Sequence, residues 1–575
     1  MLGNVRCGRR VYGHVAHSTR VPARLRIAAV AIPLAALAVS TVSGRAAAGV
    51  TPAPAGSQVF TVYAPPESLA GAHTTEEPSI GADWKTGAVM YQSLYTTYRV
   101  SFDKGGAATW TDVSPVLTSQ KTLDPILFTD RDTGRTFVSQ LAGQCSLSEF
   151  SDDDGATWTP GEGCGPPSGV DHQSVGGGPF AAPLTGTVYD HAVYYCSQAV
   201  ETAFCAMSAD GGVSFGPGVP IYTDAQCSGL HGHVRVAPNG TAIVPNQNCN
   251  PSPSPTAVNS TKSNQAAIVS TSDGATWSVN VIPGSVASVR SDPSAAADSA
   301  GAWYFGFEQA VNDAGGTQVA GKAMVSTSRD DGTTWSPSVD VGAPLGVHNV
   351  TFPEVIAGDP GRAAYAFLGS PTAGNPEMQT FKGLWYLYVA LTYDGGATWT
   401  VENLTPGDPV ERGCIYLAGT GDCPNPDKRN LYDFMDITAG KDGRVLIGYA
   451  DGCTGTCDSK QTAPCADAAC ATGDTKSTDH LAQIARLTCG RGLVAAQDAA
   501  LSCGGTVAAH VMAPMPQPAV TPTSTPAVSV APAVVATPNT SGASPALAVP
   551  SLAALGAVLA LGRRRRGTAA SRSRY

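Results

Sequence analysis

Charge is scarce in this chain. Only 14% of its 575 residues are Asp, Glu, Lys or Arg, and the formal net charge is −10. Thirteen of the 35 basic side chains fall within Met1–Ala48 or after Gly562, where no acid stands, so the remaining body carries 22 basic against 45 acidic groups, about −23. A surface of that sign repels phosphate backbones, which excludes nucleic acid as a partner. Long apolar runs are equally few: Ile27–Val42 and Ala546–Leu561. What abounds is turn residues, 64 Gly and 43 Pro, the composition of a turn-dense β protein. The length exceeds one ordinary compact core but suits one large repeat domain with tails.

Against that background one short motif recurs six times, approximating Ser/Thr-x-Asp-x-Gly-x-Thr-Trp. The copies are Ser101–Trp110 (with a two-residue insertion), Ser151–Trp158, Ser208–Phe215, Ser270–Trp277, Ser328–Trp335 and Thr392–Trp399. They start 50, 57, 62, 58 and 64 residues apart, the spacing of one supersecondary unit per period. Asp and Ser at a turn accept hydrogen bonds from backbone N–H groups a few residues on. Gly permits a left-handed backbone, and Thr-Trp re-enters a strand with the ring free to bury beneath the turn. The motif therefore reads as a self-satisfying hairpin turn with an apolar plug. Asp103, Asp153, Asp210, Asp330 and Asp394 are assigned to folding, because six equivalent catalytic sites on one chain are implausible. The motif resembles the Asp-box (BNR) repeat of sialidases and related β-propellers, over roughly residues 59–488. The resemblance implies an all-β propeller. It does not fix an activity, because Asp-box propellers include hydrolases, lyases and non-enzymatic binding modules.

A second pattern lies 24 to 40 residues before each box, and it occurs once more often than the boxes do. Its segments begin Glu77-Pro78, Asp124-Pro125, His172-Gln173, His231-Gly232, Asp292-Pro293, Phe352-Pro353 and Phe434-Met435. Each reads as the start of a strand, and the last leads into a further hairpin at Asp442-Gly443. Seven blades of about four short strands are expected, with Val59–Tyr63 closing the ring as an extra strand in the last. Six blades, as in sialidases proper, are the alternative if the cysteine-rich seventh segment is an appendage.

The ends read differently. Arg20, Arg24 and Arg26 precede the apolar run Ile27–Val42, and Ala46-Ala47-Ala48 offers a small-residue cleavage site, so 1–48 is expected to be a secretory signal peptide. The propeller is assigned to 57–511, a Pro/Thr/Ala-rich stalk to 512–545 and an apolar anchor to 546–575. The anchor's sixteen-residue apolar run is short for a span and is interrupted by Pro550, but Arg563–Arg566 would stop transfer. These features look like a bacterial cell-surface sorting tail. No Leu-Pro-x-Thr-Gly sequence is present, so a plain membrane anchor competes with cell-wall attachment. Either way a secreted, surface-displayed monomer is expected.

Fifteen cysteines are present, and Cys7 would leave with the signal peptide. An even fourteen in an exported chain favours seven disulfides. Spacing suggests Cys145–Cys164, Cys196–Cys205, Cys227–Cys249, Cys414–Cys423 and Cys489–Cys503, with Cys453, Cys457, Cys465 and Cys470 forming two more in an undetermined order. A zinc cluster at Cys453–Cys470 is the rival reading, although Cys-x2-Cys pairs are missing.

Propellers usually bind ligands where the inner strands begin, around the central channel. Convergence there would gather Glu77, Asp124, His172, His231, His233 and Asp292 as ligand-binding candidates near one axis with Glu354 and Asp436, and with Asp171, His348 and Asp433 beside them. Acids and imidazoles of this kind hold a cation or perform acid–base work; the competing reading is that Asp before Pro merely caps a turn. His231 and His233, two apart, share a strand face. No resident cofactor is expected beyond calcium, which an acidic ring could take. The resemblance to sialidases implies an arginine triad, an acid/base Asp and a Tyr activated by a Glu. Arg is needed because its planar fork grips a carboxylate bidentately. The first arginine of that triad is absent: the expected place reads Glu76-Glu77-Pro78-Ser79-Ile80. Glu354, Asp436 and Tyr432 remain as catalytic candidates. The expected function is a sialidase-like module binding extracellular glycans without the triad; an extracellular glycoside hydrolase, exo-sialidase or other, is the alternative. A purely structural surface protein whose acidic ring holds calcium is a third reading.

Overall fold

The computed structural model describes residues 49–503 other than 121, 123, 200–201, 254–261, 419–420, 424–430, 455–456 and 458–479. The expected signal peptide, stalk and anchor, and Cys465 and Cys470, lie outside the described residues. Among those described, no helix is long and apolar enough to cross a membrane.

After two short strands, β1 (Gly49–Pro52) and β2 (Val59–Tyr63), the chain winds seven sheets in succession. Blade I is β3 (Ser79–Ala82), β4 (Val89–Ser93), β5 (Thr96–Phe102) and β6 (Ala108–Asp112). Blade II is β7 (Pro125–Thr129), β8 (Thr136–Leu141), β9 (Ser146–Ser151) and β10 (Thr159–Gly161). Blade III is β11 (Asp171–Pro179), β12 (His191–Gln198), β13 (Ala203–Ser208) and β14 (Val219–Pro220). Blade IV is β15 (Arg235–Val236), β16 (Ala242–Cys249), β17 (Asn264–Ser270) and β18 (Ser278–Val281). Blade V is β19 (Ser294–Ala297), β20 (Trp303–Asn312), β21 (Gln318–Ser328) and β22 (Val339–Asp340). Blade VI is β23 (Asn349–Ala357), β24 (Ala363–Ser370), β25 (Leu384–Thr392) and β26 (Thr398–Asn403), with β27 (Glu411–Arg412) pairing on β25. Blade VII has three strands of its own, β28 (Asp436–Ala439), β29 (Val445–Asp451) and β30 (Leu481–Cys489). Its fourth place is taken by β2, antiparallel to β30 from Val59↔Cys489 to Tyr63↔Ile484. The protein is thus a seven-bladed, all-β propeller closed by its N-terminal strand. A strand not anticipated from the sequence, β1, adds to it by running parallel to β26.

Each Asp box is the turn between the third and fourth strands of a blade, in blades I to VI. Blade VII has no such turn because its fourth strand arrives from the other end of the chain. Six boxes therefore accompany seven blades, and the six-bladed alternative falls.

The box chemistry repeats closely. In blade II, Asp153 Oδ1 accepts from Thr157 N at 2.8 Å and Oδ2 from Thr157 Oγ1 at 2.8 Å, while Ser151 Oγ accepts from Gly155 N at 2.8 Å. The same set recurs around Asp210, Asp330 and Asp394. In the fourth copy Ser272 stands where the others have Asp and accepts from Thr276 N at 3.0 Å. In the first copy, lengthened by its insertion, Asp103 accepts from Ala107 N. Two successive left-handed residues, such as Asp154 (φ 55°) and Gly155 (φ 82°), make the turn, and that is why glycine holds the fifth position. Removing the carboxylate in Asp394→Ala is expected to lower stability by about 1 kcal/mol in urea titration, with Ser272→Ala costing less because one hydroxyl is a weaker acceptor.

The core lies between neighbouring sheets. Tyr304 and Val325 of blade V pack with Val355, Tyr365 and Tyr388 of blade VI, and Trp399 from the sixth box meets Tyr304 edge-on at 6.3 Å. Ile80, Tyr91 and Tyr98 of blade I pack with Leu446 and Ile484 of blade VII. Inner strands approach closely near the axis: a Cβ on Gly176 would sit 2.2 Å from the Val234 carbonyl oxygen of the next blade.

Six disulfides stand among the described residues: Cys145–Cys164, Cys196–Cys205, Cys227–Cys249, Cys414–Cys423, Cys453–Cys457 and Cys489–Cys503. Five follow the spacing argument, and Cys196 and Cys205 are direct cross-strand partners. The Cys453–Cys457 bond removes two ligands from the zinc-cluster reading, because a disulfide sulfur carries no thiolate.

Candidate functional site

The seven strand-start segments align residue by residue at one end of the channel, the head. Their first positions are Glu77, Asp124, His172, His231, Asp292, Phe352 and Phe434. Two residues on stand Ser79, Ile126, Ser174, His233, Ser294, Glu354 and Asp436. Hydrogen bonds stitch adjacent segments together. Val234 N donates to Ser174 Oγ at 2.7 Å, Val355 N to Ser294 Oγ at 3.1 Å, and Ile80 N to Asp436 Oδ2 at 3.0 Å, the last joining blade I to blade VII. Glu77, His172, Phe352 and Tyr432 all have φ between 45° and 56°. This left-handed backbone is uncommon outside glycine and is held here by the surrounding structure.

All six ligand-binding candidates line one pocket at the head, with Gln173, Asp433 and Phe434. It encloses about 10 Å³, room for roughly one water. His172 Nδ1 lies 2.9 Å from Asp292 Oδ2, and its backbone N–H donates to Asp124 Oδ2 at 2.9 Å. Burial opposes the imidazolium, but the carboxylates of Asp292, Asp171 and Asp124 outweigh it and hold His172 well above the usual histidine range. His231 behaves oppositely: burial pushes its pKa down to about 4. Burial, with Arg235 nearby, likewise holds His233 well below the ordinary value.

One layer deeper, ligand atoms of His233, Glu354 and Asp436 lie within 4.8 Å of one another. Glu354 accepts from Ser294 Oγ at 2.9 Å. Asp436 Oδ1 accepts from Arg235 Nη2 at 3.2 Å and from Ile437 N at 2.8 Å. Burial raises both carboxyls. For Glu354 the Asp436 charge adds to it and sets the acid well above its ordinary range, while Arg235 moderates the rise at Asp436.

Below this layer, toward the opposite end or foot of the channel, a larger cavity of about 170 Å³ opens. Its polar lining comes from Thr129, Asp130, Arg131, Asp132, His191, Arg235, Asp436 and Thr438, and its floor from small residues such as Gly81, Gly178 and Ala297. Sequence reasoning placed the ligand at the head and missed this cavity. Arg235, two residues after His233, was the available signal. Asp130 binds His191 Nδ1 at 2.7 Å and Tyr189 Oη at 2.8 Å. At both partners burial works against the charged form; the hydrogen bond between them overcomes it, raising His191 and lowering Asp130. The histidine's stabilising charge is fully present below about pH 6.5 and is lost as pH rises through its raised folded value; the aspartate's is present above about pH 4 and is lost below it. His191→Gln is therefore expected to lower the melting temperature most between roughly pH 4 and 6.5, and the gap to the parent should close toward pH 9.

Other candidates lie elsewhere. Tyr432 packs its ring against His480 at 6.4 Å. His348 borders a separate shallow pocket with Lys322 and Asp340, not the head. The arginines do not converge. Arg290 is bound to Glu377, Asn375 and the Gln318 carbonyl, and Arg362 to Asp498. Arg135 binds Asp152, Arg444 and Arg486 share Asp442, Arg329 holds the Gly395 carbonyl and Arg412 that of Cys457. Among the described residues only Arg131 and Arg235 line either channel cavity.

No protein-family model matches the chain, and no curated protein matches it. Among solved structures it is similar to a polysaccharide lyase of the PL25 ulvan lyase family, at 11% identity and TM-score 0.39, covering 66% of this chain and 92% of that one. It is also similar to the intramolecular trans-sialidase from Ruminococcus gnavus (12% identity, TM-score 0.33, covering 76% and 98%). The Hadza microbial sialidase Hz136 matches at 15% identity and TM-score 0.32, covering 72% and 65%. Likenesses of this size identify neither family nor activity.

Proposed function

We propose that the protein is an exported, surface-displayed propeller that binds extracellular carbohydrate in the foot cavity of its channel and does not hydrolyse it. The cavity carries the reading: at about 170 Å³ it accommodates one sugar unit, and its lining combines donors (Arg131, His191, Arg235) and acceptors (Asp132, Asp436) with small apolar residues. Mixed polar groups over apolar surface suit a polyol ring. The dispersal of the arginines argues against a sialate clamp, and the narrow head pocket gives a sugar no access to Glu354 from that side. The test is a glycan array with the purified protein, together with hydrolysis of a fluorogenic sialoside. Saturable glycan binding, weakened about tenfold in Arg131→Ala and Asp132→Ala with no turnover, is expected; absence of any glycan binding defeats the proposal.

The glycoside hydrolase reading keeps one supporting observation. Glu354, whose carboxyl is raised well above its ordinary range by burial and by Asp436, beside the Asp436 carboxyl that Arg235 contacts, resembles the pairing general acid catalysis uses. Their separation is too short for the inverting arrangement, which spans about 6.5–9.5 Å. Turnover that disappears in Glu354→Gln combined with Asp436→Asn would establish this second reading.

A further inference from the structure

We propose that His233, Glu354 and Asp436 form a binding site on the propeller axis for a single divalent transition-metal ion of the zinc class. Three features of the geometry lead there. First, the three ligand atoms lie within 4.8 Å of one another. Zinc bonds of about 2.1 Å to imidazole and carboxylate place tetrahedral ligands roughly 3.4 Å apart, so small side-chain rotations complete the contact. The three residues come from blades IV, VI and VII, so only the closed ring brings them together.

Second, both histidines at this level have a buried ring nitrogen that nothing in the protein satisfies. His231 is 2% exposed, and its Nδ1 lies 3.0 Å from the Gly232 carbonyl oxygen. A carbonyl only accepts, so Nδ1 carries the hydrogen and Nε2 presents a lone pair; that Nε2 is buried without a partner. That free lone pair is an acceptor waiting for a donor such as a metal-bound water. His233 Nδ1 is likewise buried without a partner. Third, the head pocket bordering both histidines has room for roughly one water. A water between that pocket and the ion would make a four-coordinate shell of one nitrogen and three oxygens and would donate a hydrogen bond to His231 Nε2.

The donor set selects the metal. Calcium takes six to eight oxygens and has no use for imidazole; a mixed imidazole and carboxylate set suits zinc, and manganese or cobalt after it. The donor set therefore favours a smaller, borderline ion over the calcium that an acidic ring could take. Charge favours occupancy: two carboxylates face one guanidinium, Arg235, and in the head Glu77, Asp124, Asp292 and Asp433 outnumber His172, the one histidine there held above its usual range. The alternative occupant is a proton on Glu354, and the experiment separates the two. Because every readout below is free of glycan, the inference stands or falls apart from the carbohydrate proposal.

The full chain, purified without added metal or metal-affinity tag, is stripped with chelator and assayed for zinc, manganese and calcium by mass spectrometry before and after reloading. One equivalent of zinc per chain is expected, with a melting temperature several degrees higher, together with a visible d–d spectrum of four-coordinate cobalt on cobalt loading. Glu354→Gln and His233→Gln should each lose that equivalent and the cobalt spectrum, and His348→Gln, outside the head, should keep both. If either ligand variant fails to fold, the cobalt spectrum of the parent decides, because six-coordinate cobalt is far paler. No stoichiometric transition metal in the parent, stabilisation by calcium alone, or full zinc retention in both folded ligand variants would overturn the assignment.

Discussion

A chain begun at Ala64 is expected not to fold. It lacks β2, which supplies the fourth strand of blade VII and, by its ladder on β30, hydrogen-bonds the start of the ring to its last blade. Without it the β30 edge from Ile484 to Cys489 presents unpaired N–H and C=O groups beside an apolar face, the condition under which sheets associate with other chains. Phe60, 5% exposed, leaves the largest core cluster, which it shares with Ile437, Ile447, Ala485 and Leu487. Loss of one buried phenylalanine alone costs about 3–5 kcal/mol, a large part of the roughly 5–15 kcal/mol that holds a domain together. Size-exclusion chromatography and far-ultraviolet circular dichroism of the truncated chain should show aggregate and loss of strand signal. The single change Phe60→Ala should leave a folded protein destabilised by about 3 kcal/mol or more in urea. Recovery of monomeric, cooperatively unfolding protein from the truncated chain would mean that blade VII closes without β2.

Arg235→Ala is expected to produce the largest effect of any single substitution in the channel. Asp436 is 3% exposed, stands close to Glu354, and has Arg235 Nη2 at 3.2 Å. Taking away one partner of a buried ion pair leaves an uncompensated charge and costs about 3–5 kcal/mol. The residual backbone donors, Ile80 N and Ile437 N, recover part of this, so the lower half of the range is the expectation. Neutralising the survivor should undo the damage: the double change Arg235→Ala with Asp436→Asn should be more stable than Arg235→Ala alone. A double-mutant cycle in urea, run on chelator-treated protein, measures the coupling. A coupling near zero would show that water already screens the pair.

Much of the fold was legible because it rests on local chemistry repeated six times. The box requires Ser or Thr, an acceptor two residues later and Gly at the left-handed position, all within eight residues, so each copy declared its hairpin. The strand starts declared themselves as well, and their excess of one over the boxes is the arithmetic signature of closure by β2. Five cysteine pairs were legible for the same reason, being close in sequence or opposite on a hairpin. β1 was not, because Gly49–Pro52 pairs parallel on an edge 349 residues away and nothing in four residues announces that partner.

The candidate site divides the same way. The chain alone determined which segments start the inner strands, and so that Glu77, Asp124, His172, His231, His233 and Asp292 would gather at one end of the channel. It also determined that a sialidase's first arginine is missing. Only the tertiary structure decided how far each side chain reaches, and therefore that Glu354, Asp436 and His233 meet while Tyr432 turns to His480 and His348 to another pocket. It also decided that the roomy part of the channel lies at the foot rather than the head. The width of a channel depends on how closely seven sheets approach one another, a property of glycines and small residues packed across blades, and no single segment of the chain contains it.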